Sequence, residues 1–109
     1  RPIIENDGIK GMVSYIDEYG NIITNITKQL FKEIGKNRTF NINLTRSGYS
    51  IQKIHHRYGE VPEGERIALF GSSGFLEISI NKGVQGSGGG ASQLFGISLN
   101  DTITIDFKD

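Results

Sequence analysis

The fold is decided by residues 11–26, whose sequence is Gly-Met-Val-Ser-Tyr-Ile-Asp-Glu-Tyr-Gly-Asn-Ile-Ile-Thr-Asn-Ile. Residues 11–16 alternate in hydrophobicity, which predicts a β-strand, and residues 21–26 predict its partner across a tight turn. Asp17 and Asn21 flank this turn and are poor strand formers, so something other than local propensity places them there. A similar polar segment beside an apolar run returns at residues 71–77. Two such turns in one small domain predict a ligand that binds between loops.

The rest of the chain continues this pattern of short strands and turns. Thr27 is placed to cap a short helix over residues 28–34, which Gly35 would end. Residues 58–65 are predicted to be a connection. Further strands are predicted at residues 39–44, 49–54, 66–70, 75–80 and 101–107, and a single helical turn at 91–95. The pattern predicts an all-β domain, a small closed antiparallel Greek-key-like β-barrel of about seven strands with one or two short helices.

Composition narrows the range of partners. The chain has 109 residues, 12 basic and 12 acidic side chains, and a formal net charge of zero. Because no basic stripe is visible, no nucleic-acid partner is expected. The chain has no cysteine, which excludes a disulfide, a thiolate metal site and a cysteine nucleophile. Its apolar runs are far shorter than the ~20 residues of a transmembrane helix, so no membrane partner is expected and a cytoplasmic location is predicted.

Two motifs resemble a dinucleotide-binding loop and a metal site, but neither has the structural context that such a site needs. Residues 86–91, Gly-Ser-Gly-Gly-Gly-Ala, fit the dinucleotide pattern G-x-G-x-x-A, but the helix predicted after them is only about one turn long. We therefore favour a surface loop. His55 and His56 are adjacent, so on a strand they point to opposite faces and do not converge on one metal. No metal site is predicted.

The turn Gly71-Ser72-Ser73-Gly74 does not fit the nucleophile pattern G-x-S-x-G. Its backbone N–H groups and hydroxyls suit the binding of a carboxylate better than they suit catalysis. Asp17 has two interpretations that spacing alone leaves open. It either caps its own turn as a solvated residue or supplies the counter-ion for a ligand ammonium.

Residues 17–26, Asp-Glu-Tyr-Gly-Asn-Ile-Ile-Thr-Asn-Ile, resemble the D-x-F-G-N-x-x-T-N-I signature of the S-adenosylmethionine hydroxide adenosyltransferases, relatives of the fluorinating and chlorinating enzymes. Residues 58–65 are similar to the family's aromatic-G-x-V-x-x-G run. Residues 71–81 are similar to its N-S-x-G-x-L-E-I-A-x-N segment, and residues 90–97 to its last helical turn. The resemblance spans nearly the whole chain in the family's order.

The resemblance is to the C-terminal domain of these enzymes, a small antiparallel β-barrel. It implies that residues 1–109 are that domain of a larger two-domain protein, and a start at Arg1 rather than Met agrees with such a piece. The missing N-terminal α/β domain carries the Asp, Arg and His that handle water. Family members are trimers that bind S-adenosylmethionine between the N-terminal domain of one subunit and the C-terminal domain of its neighbour. The implied reaction is attack of water or hydroxide on the ribose C5′, which gives adenosine and methionine.

The resemblance assigns substrate-binding roles and no catalytic role to residues of this chain. Asp17 would pair with the methionine ammonium. Ser72, with Ser73 as a weaker candidate, would contact the amino-acid head of methionine. Asn21 would recognise the adenine edge through its carboxamide, and Tyr58 stands at an aromatic position that lies near adenine in the family. No cofactor is implied, since S-adenosylmethionine is the substrate, and the chain alone is expected to be inactive.

The backbone around Ile80 and Lys82 matches the segment that contacts the Watson–Crick edge of adenine in the family. Two departures from the family pattern stand out. Ser73 occupies a place where halogenating relatives carry arginine, which favours hydrolysis over halide chemistry. Residues 84–89 resemble an insertion just after the adenine-contacting segment. The alternative function is a non-catalytic ligand-binding or oligomerisation barrel whose site has decayed.

Overall fold

The hairpin predicted from residues 11–26 is present and lies within an antiparallel sheet. The structure is a computed structural model that describes residues 1–81 and 90–108. Its strands are β1 (Ile3–Glu5), β2 (Gly8–Ile16), β3 (Ile22–Thr27), β4 (Thr39–Leu44), β5 (Tyr49–Ile51), β6 (Arg66–Phe70), β7 (Phe75–Ile80) and β8 (Thr102–Lys108). Two α-helices, α1 (Lys28–Gly35) and α2 (Ala91–Phe95), and a 3₁₀ turn at Tyr58–Glu60 complete the described elements.

The strands form a nearly closed barrel. Their order is β5-β4-β8-β2-β3-β7-β6, with β1 paired to β2, and every pairing is antiparallel. The last strand, β8, therefore lies between two strands that come much earlier in the chain. The ends of the sheet meet where His55 forms a bridge with Leu69 and its N–H donates to the Ala68 carbonyl at 2.8 Å. The predicted all-β antiparallel barrel with two short helices is confirmed.

Two strands differ from the prediction. β1 was not predicted, and it is joined to β2 by Asn6 and Asp7, which have φ angles of 48° and 64°. Asparagine and aspartate are among the few residues other than glycine that adopt this left-handed region readily. β5 was predicted to reach residue 54 but ends at Ile51, because the chain there leaves β4 and crosses to β6 at His55.

The barrel interior is filled mainly by isoleucine and leucine side chains. The largest fully buried residues are Ile22, Ile26, Ile42, Leu44, Ile67, Leu76, Ile78, Ile103 and Ile105. Helix α1 adds Phe31 to this core, where its ring lies 5.1–5.6 Å from the rings of Phe40, Phe70 and Phe107, measured between ring centroids. Helix α1 thus packs its apolar face against one end of the barrel.

Helix α1 begins as predicted but ends differently. The Thr27 hydroxyl accepts a hydrogen bond from the Leu30 N–H at 3.1 Å, which caps the first turn. Gly35 is the last helical residue, and a Cβ there would lie 2.9 Å from the Phe107 ring. The left-handed residue that ends the helix is Lys36, with φ 50°. Gly35 is therefore required for close packing and not for the turn.

The two α-helices are short. Within residues 1–81 and 90–108, no helix is long and apolar enough to cross a membrane.

Candidate functional site

The turn between β2 and β3 is stabilised by the Asp17 carboxylate. Its Oδ1 accepts hydrogen bonds from the backbone N–H groups of Tyr19 and Asn21, both at 2.9 Å. Its Oδ2 accepts a third from the Asn21 Nδ2, also at 2.9 Å. Gly20 has φ 80°, which glycine adopts without steric cost. Asp17 therefore caps its own turn, as one of its two interpretations predicted, while its pairing with a ligand ammonium stays a prediction.

Within residues 1–81 and 90–108, the capping bonds leave part of the Asp17 carboxylate and part of the Asn21 amide available. A carboxylate oxygen has two lone pairs, and Oδ1 already accepts two N–H donors, whereas Oδ2 accepts the single donor from Asn21. A further donor can therefore bind at Oδ2 without disrupting the turn. The Asn21 amide still has a second N–H and its carbonyl oxygen. Together these groups can bind a ligand that offers both a donor and an acceptor.

Strands β3 and β7 lie side by side and share an outer face that carries the candidate site. Ile22 pairs with Ile78, and both are fully buried in the barrel core. Ile23 pairs with Glu77, and paired residues project to the same side of a sheet. The side that carries Ile23 and Glu77 is called the outer face of β3–β7 below. Asn21 lies just before β3, two positions from Ile23.

Strand β7 is buried on both sides, and its outer side is polar. Leu76 and Ile78 point into the core. Glu77, Ser79 and Asn81 alternate with them and are 8%, 0% and 4% exposed. Polar groups at this depth need hydrogen-bond partners, because the loss of water is costly. Glu77 and Asn81 find partners in residues 58–65, and Ser79 bonds to Glu77.

Residues 58–65, called the covering segment, lie over the polar side of β7. The Tyr58 hydroxyl donates to Glu77 Oε2 at 2.5 Å, and the Ser79 hydroxyl donates to the same oxygen at 2.6 Å. The Asn81 Nδ2 donates to a backbone carbonyl of the segment at 2.6 Å, and the backbone N–H and C=O of Asn81 bond to the segment at 2.9 Å each. The segment predicted as a plain connection is thus fixed to β7 at both of its ends.

Tyr58 combines an anchored hydroxyl with an open ring, since the residue is 41% exposed. Partial burial raises the pKa of Tyr58 to about 12, together with the hydrogen bond to Glu77 and weaker repulsion from the Glu77 and Asp17 carboxylates. Tyr58 is therefore a neutral hydrogen-bond donor at neutral pH. The hydroxyl of Tyr58 bonds to Glu77, and Glu77 pairs with Ile23 at the start of β3, so the structure brings Tyr58 into the region of the 17–21 turn, where Asn21 bonds to Asp17.

The raised pKa of Tyr58 predicts a loss of stability at alkaline pH. The unfolded chain loses the phenol proton near its ordinary pKa of about 10, whereas the folded chain retains it up to about pH 12. The contribution of the Tyr58 phenol to the unfolding free energy is therefore fully present below about pH 10, and it is lost as the pH rises from about 10 to 12. Urea unfolding of the wild type and Tyr58→Phe should give a difference in unfolding free energy that shrinks over that range. A difference that stays constant would contradict this assignment.

Ser72 and Ser73 lie in the turn before β7, and both are exposed. The Ser73 hydroxyl accepts a long hydrogen bond of 3.5 Å from the Phe75 N–H. Gly71, in the same turn, approaches Glu77 so closely that a Cβ at Gly71 would lie 2.8 Å from Glu77 Oε1. The turn is therefore next to the buried carboxylate, with its serine hydroxyls open to solvent.

The register of β3 and β7 separates the predicted site residues into two groups. β3 is antiparallel to β7 and begins where Ile22 pairs with Ile78, so the 17–21 turn lies toward the end of β7. Ser72 and Ser73 precede the start of β7. The hypothesis from sequence placed Asp17 with Ser72 at the methionine end and Asn21 at the adenine end, whereas the structure places Asp17 beside Asn21.

Ile80 and Lys82 were predicted to contact adenine from the end of β7. Ile80 is its last residue, is half-buried and pairs with Arg66 of β6. Lys82 lies outside the described residues. So do residues 84–89, which were interpreted as an insertion, and most of the G-x-G-x-x-A motif.

Helix α2 supports the 17–21 turn. The Ser92 N–H donates to the Gly20 carbonyl at 2.8 Å. Gly90, just before the helix, lies so close to the turn that a Cβ there would be 2.1 Å from the Tyr19 carbonyl oxygen. A larger residue at this position would displace the turn that carries Asp17.

His55 and His56 contact the covering segment. The His55 Nδ1 lies 3.2 Å from Glu60 Oε1, and the His56 backbone N–H donates to the same oxygen at 2.9 Å. The His56 N–H bond is the main cause that lowers the pKa of Glu60. Among residues 1–81 and 90–108, no group of three or more His, Cys, Asp or Glu side chains is arranged to bind a metal ion.

Sequence analysis assigned no role to Glu77, Ser79 or Asn81. A signal was available, because Glu77 is an acid in the middle of the apolar strand residues 75–80. Acidic side chains are almost never buried without partners. Such a residue predicts a buried polar contact, although sequence alone does not show that its partner is Tyr58.

Comparison with known proteins agrees with the fold. The family described as SAM hydroxide adenosyltransferase C-terminal domain matches residues 11–104. An (R)-S-adenosyl-L-methionine hydrolase from Thermus thermophilus is 32% identical over 85 residues, which cover 75% of this chain and 28% of the relative. The chain thus spans less than a third of that relative's length.

Two crystal structures have the same fold. An uncharacterized conserved protein from Thermotoga maritima superposes with a TM-score of 0.76 and 30% identity, covering 96% of this chain and 38% of the other. A conserved hypothetical protein from Thermus thermophilus gives a TM-score of 0.64 and 25% identity, covering 99% of this chain and 38% of the other. On the family match, this chain belongs to the S-adenosylmethionine hydroxide adenosyltransferase family, whose C-terminal domain it represents.

Proposed function

We propose that this chain is the substrate-binding C-terminal domain of a two-domain enzyme that hydrolyses S-adenosylmethionine to adenosine and methionine. The observation that carries the proposal is the group formed by Asp17, Asn21 and Tyr58 beside the outer face of β3–β7. It offers a carboxylate, a carboxamide and an exposed aromatic ring, which suit an ammonium and a purine. The name of the hydrolase from Thermus thermophilus supports this substrate, and the share of that relative that the chain covers supports a missing domain.

Each group has a proposed partner on the substrate. Asp17 binds the methionine ammonium through the remaining lone pair of Oδ2. Asn21 binds the adenine edge, since one amide offers both a donor and an acceptor. The exposed ring of Tyr58 packs against the adenine, and aromatic pairs of this kind contribute about 0.5–1.5 kcal/mol beyond area burial. Backbone groups at Ile80 and Lys82 complete the adenine contacts.

Ser72 and Ser73 are proposed to contact the amino-acid head of methionine from the 71–74 turn, which lies against Glu77, the hydrogen-bond partner of Tyr58. Their exposed hydroxyls and the backbone N–H groups of the 71–74 turn suit a carboxylate.

The proposed reaction of the whole protein is attack of water or hydroxide on the ribose C5′. The electron pair of the C5′–S bond goes to sulfur, and methionine leaves as a neutral thioether that needs no protonation. Attack by water releases one proton to solvent as the new C5′–O bond forms, whereas attack by hydroxide releases none. The enzyme therefore has to fix an in-line geometry and limit the solvation of the nucleophile. This chain supplies binding contacts. The catalytic residues are proposed to belong to the N-terminal domain of a neighbouring subunit in a homotrimer.

The second candidate is a non-catalytic ligand-binding or oligomerisation module. The observation that favours it is the Asp17 carboxylate, which already accepts three hydrogen bonds from its own turn. A turn stabilised in this way would persist even after the site had lost its ligand.

An assay of the full-length protein that contains this chain separates the two candidates. The protein is incubated with S-adenosylmethionine, the products are measured by chromatography, and binding is measured by isothermal titration calorimetry. The enzyme proposal predicts a heat of binding and equal amounts of adenosine and methionine. The 109-residue chain alone should release neither product. Binding without product would support the second candidate, and the absence of both binding and adenosine would reject the enzyme.

A further inference from the structure

Glu77 is a buried acid to which the proposed reaction gives no role. It is 8% exposed, and a carboxylate at that depth is costly unless it is hydrogen-bonded. The hydroxyls of Tyr58 and Ser79 both donate to its Oε2, at 2.5 Å and 2.6 Å. Because Ser79 belongs to the same strand, its bond fixes the direction in which the carboxylate presents Oε2 to Tyr58.

The other oxygen of Glu77 faces the turn before β7. A Cβ at Gly71 would lie only 2.8 Å from Glu77 Oε1, so the glycine backbone lies close to this oxygen. The carboxylate therefore lies between β7, the covering segment and the β6–β7 turn. A group enclosed by three elements is placed to orient its neighbours and not to contact the substrate.

Tyr58 depends on this carboxylate for its position. It begins a three-residue 3₁₀ turn that has no side-chain cap, and the residue is 41% exposed. A half-covered ring on a short turn gains a defined orientation from an anchored hydroxyl. Among residues 1–81 and 90–108, that anchor is the hydrogen bond to Glu77.

We propose that Glu77 is a positioning residue whose carboxylate orients the Tyr58 ring for binding the nucleoside part of the substrate. This inference rests on the proposed function. It explains why the aromatic residue carries a hydroxyl, since a phenylalanine ring could pack against a purine but could not be anchored to β7. It also explains the one charged residue in β7, a local exception of the kind that functional sites produce.

Calorimetric titration of the full-length protein tests the proposal with S-adenosylmethionine, adenosine and methionine as ligands. Glu77→Gln keeps the size of the side chain but removes its charge, and Tyr58→Phe removes the anchored hydroxyl but keeps the ring. Each single variant should bind S-adenosylmethionine and adenosine about three- to tenfold more weakly, the range expected for one hydrogen bond. Methionine affinity should not change. The double variant should bind these ligands with the same affinity as the more weakly binding single variant, because both changes remove the same contact.

The ionisation of Tyr58 gives a readout that a purely structural role would not move. In Glu77→Gln the pKa of Tyr58 should fall from about 12 toward the ordinary value of a tyrosine. This pKa is measured in an alkaline titration followed by ultraviolet absorbance. The curve of the double variant, which lacks Tyr58, is subtracted from the curve of Glu77→Gln. If Glu77→Gln does not fold, Tyr58→Phe carries the test through its selective loss of adenosine affinity.

Glu65→Gln is the matched control, because it makes the same chemical change on an exposed residue of the covering segment. It should bind all three ligands as the wild type does. The role of Glu77 would be overturned, and the proposed function left standing, by either of two results. In the first, the wild type binds the ligands and the Glu77 and Tyr58 variants bind them with the same affinity. In the second, the losses of the two single variants add up in the double variant. A wild-type protein that binds neither S-adenosylmethionine nor adenosine would overturn the proposed function itself.

Discussion

Asp17→Asn is expected to weaken the binding of S-adenosylmethionine by the full-length protein roughly 10- to 150-fold, while the domain stays folded. The new amide oxygen can still accept from the backbone N–H groups of Tyr19 and Asn21, which caps the turn as before. The Asn21 amide can turn its oxygen toward the new NH₂ group. The variant loses the negative charge that pairs with the ammonium, and a hydrogen bond to a charged group contributes about 1.5–3 kcal/mol.

Two further variants make the Asp17 result interpretable. Glu18→Gln removes one negative charge from an exposed neighbour in the same turn and should leave affinity within about twofold, since surface charges contribute little. Asp17→Ala should lose both the ligand contact and the cap, so its unfolding free energy should fall by about 1–2 kcal/mol as well. Affinity that is unchanged in Asp17→Asn would show that Asp17 serves only its own turn.

Ile78→Ala is expected to reduce the unfolding free energy by about 2–5 kcal/mol, which is the usual cost of truncating a fully buried isoleucine. Ile78 is 0% exposed and lies in β7, the strand whose other side carries the polar residues of the site. The loss combines the transfer of apolar atoms with the cavity that remains. A urea titration followed by circular dichroism measures it.

An exposed leucine provides the control for Ile78. Leu94 is 58% exposed, so Leu94→Ala should change the unfolding free energy by no more than about 0.5 kcal/mol. Equal effects of the two substitutions would contradict the placement of β7 in the barrel core.

Local patterns predicted the strands that pair next to each other in sequence. The β2–β3 and β6–β7 hairpins follow from alternating hydrophobicity on each side of a glycine-containing turn. The early end of β5 could not be predicted in this way, because the chain leaves β4 to pair with β6 and close the barrel. That crossing depends on contacts between residues distant in sequence, which periodicity does not report.

Part of the arrangement of the candidate site could be predicted from sequence. Motif resemblance predicted Asp17, Asn21 and Tyr58 as substrate contacts, which stays a prediction, and the structure places them in one region. Spacing alone did not show that Asp17 and Asn21 hydrogen-bond to each other, since a turn of five residues allows several side-chain arrangements. Nor did it reveal that Glu77 is the partner of Tyr58, because the two are separated by 19 positions and meet only when residues 58–65 fold over β7.

The most direct test of the central claim is a crystal structure of the full-length protein with S-adenosylmethionine bound. Two distances decide the outcome, from the substrate ammonium nitrogen to Asp17 Oδ2 and from the adenine ring to the Tyr58 ring. We predict a nitrogen–oxygen distance of about 2.7–2.9 Å and ring centroids about 4.5–7 Å apart. A substrate bound away from the outer face of β3–β7, with neither residue in contact, would contradict the account.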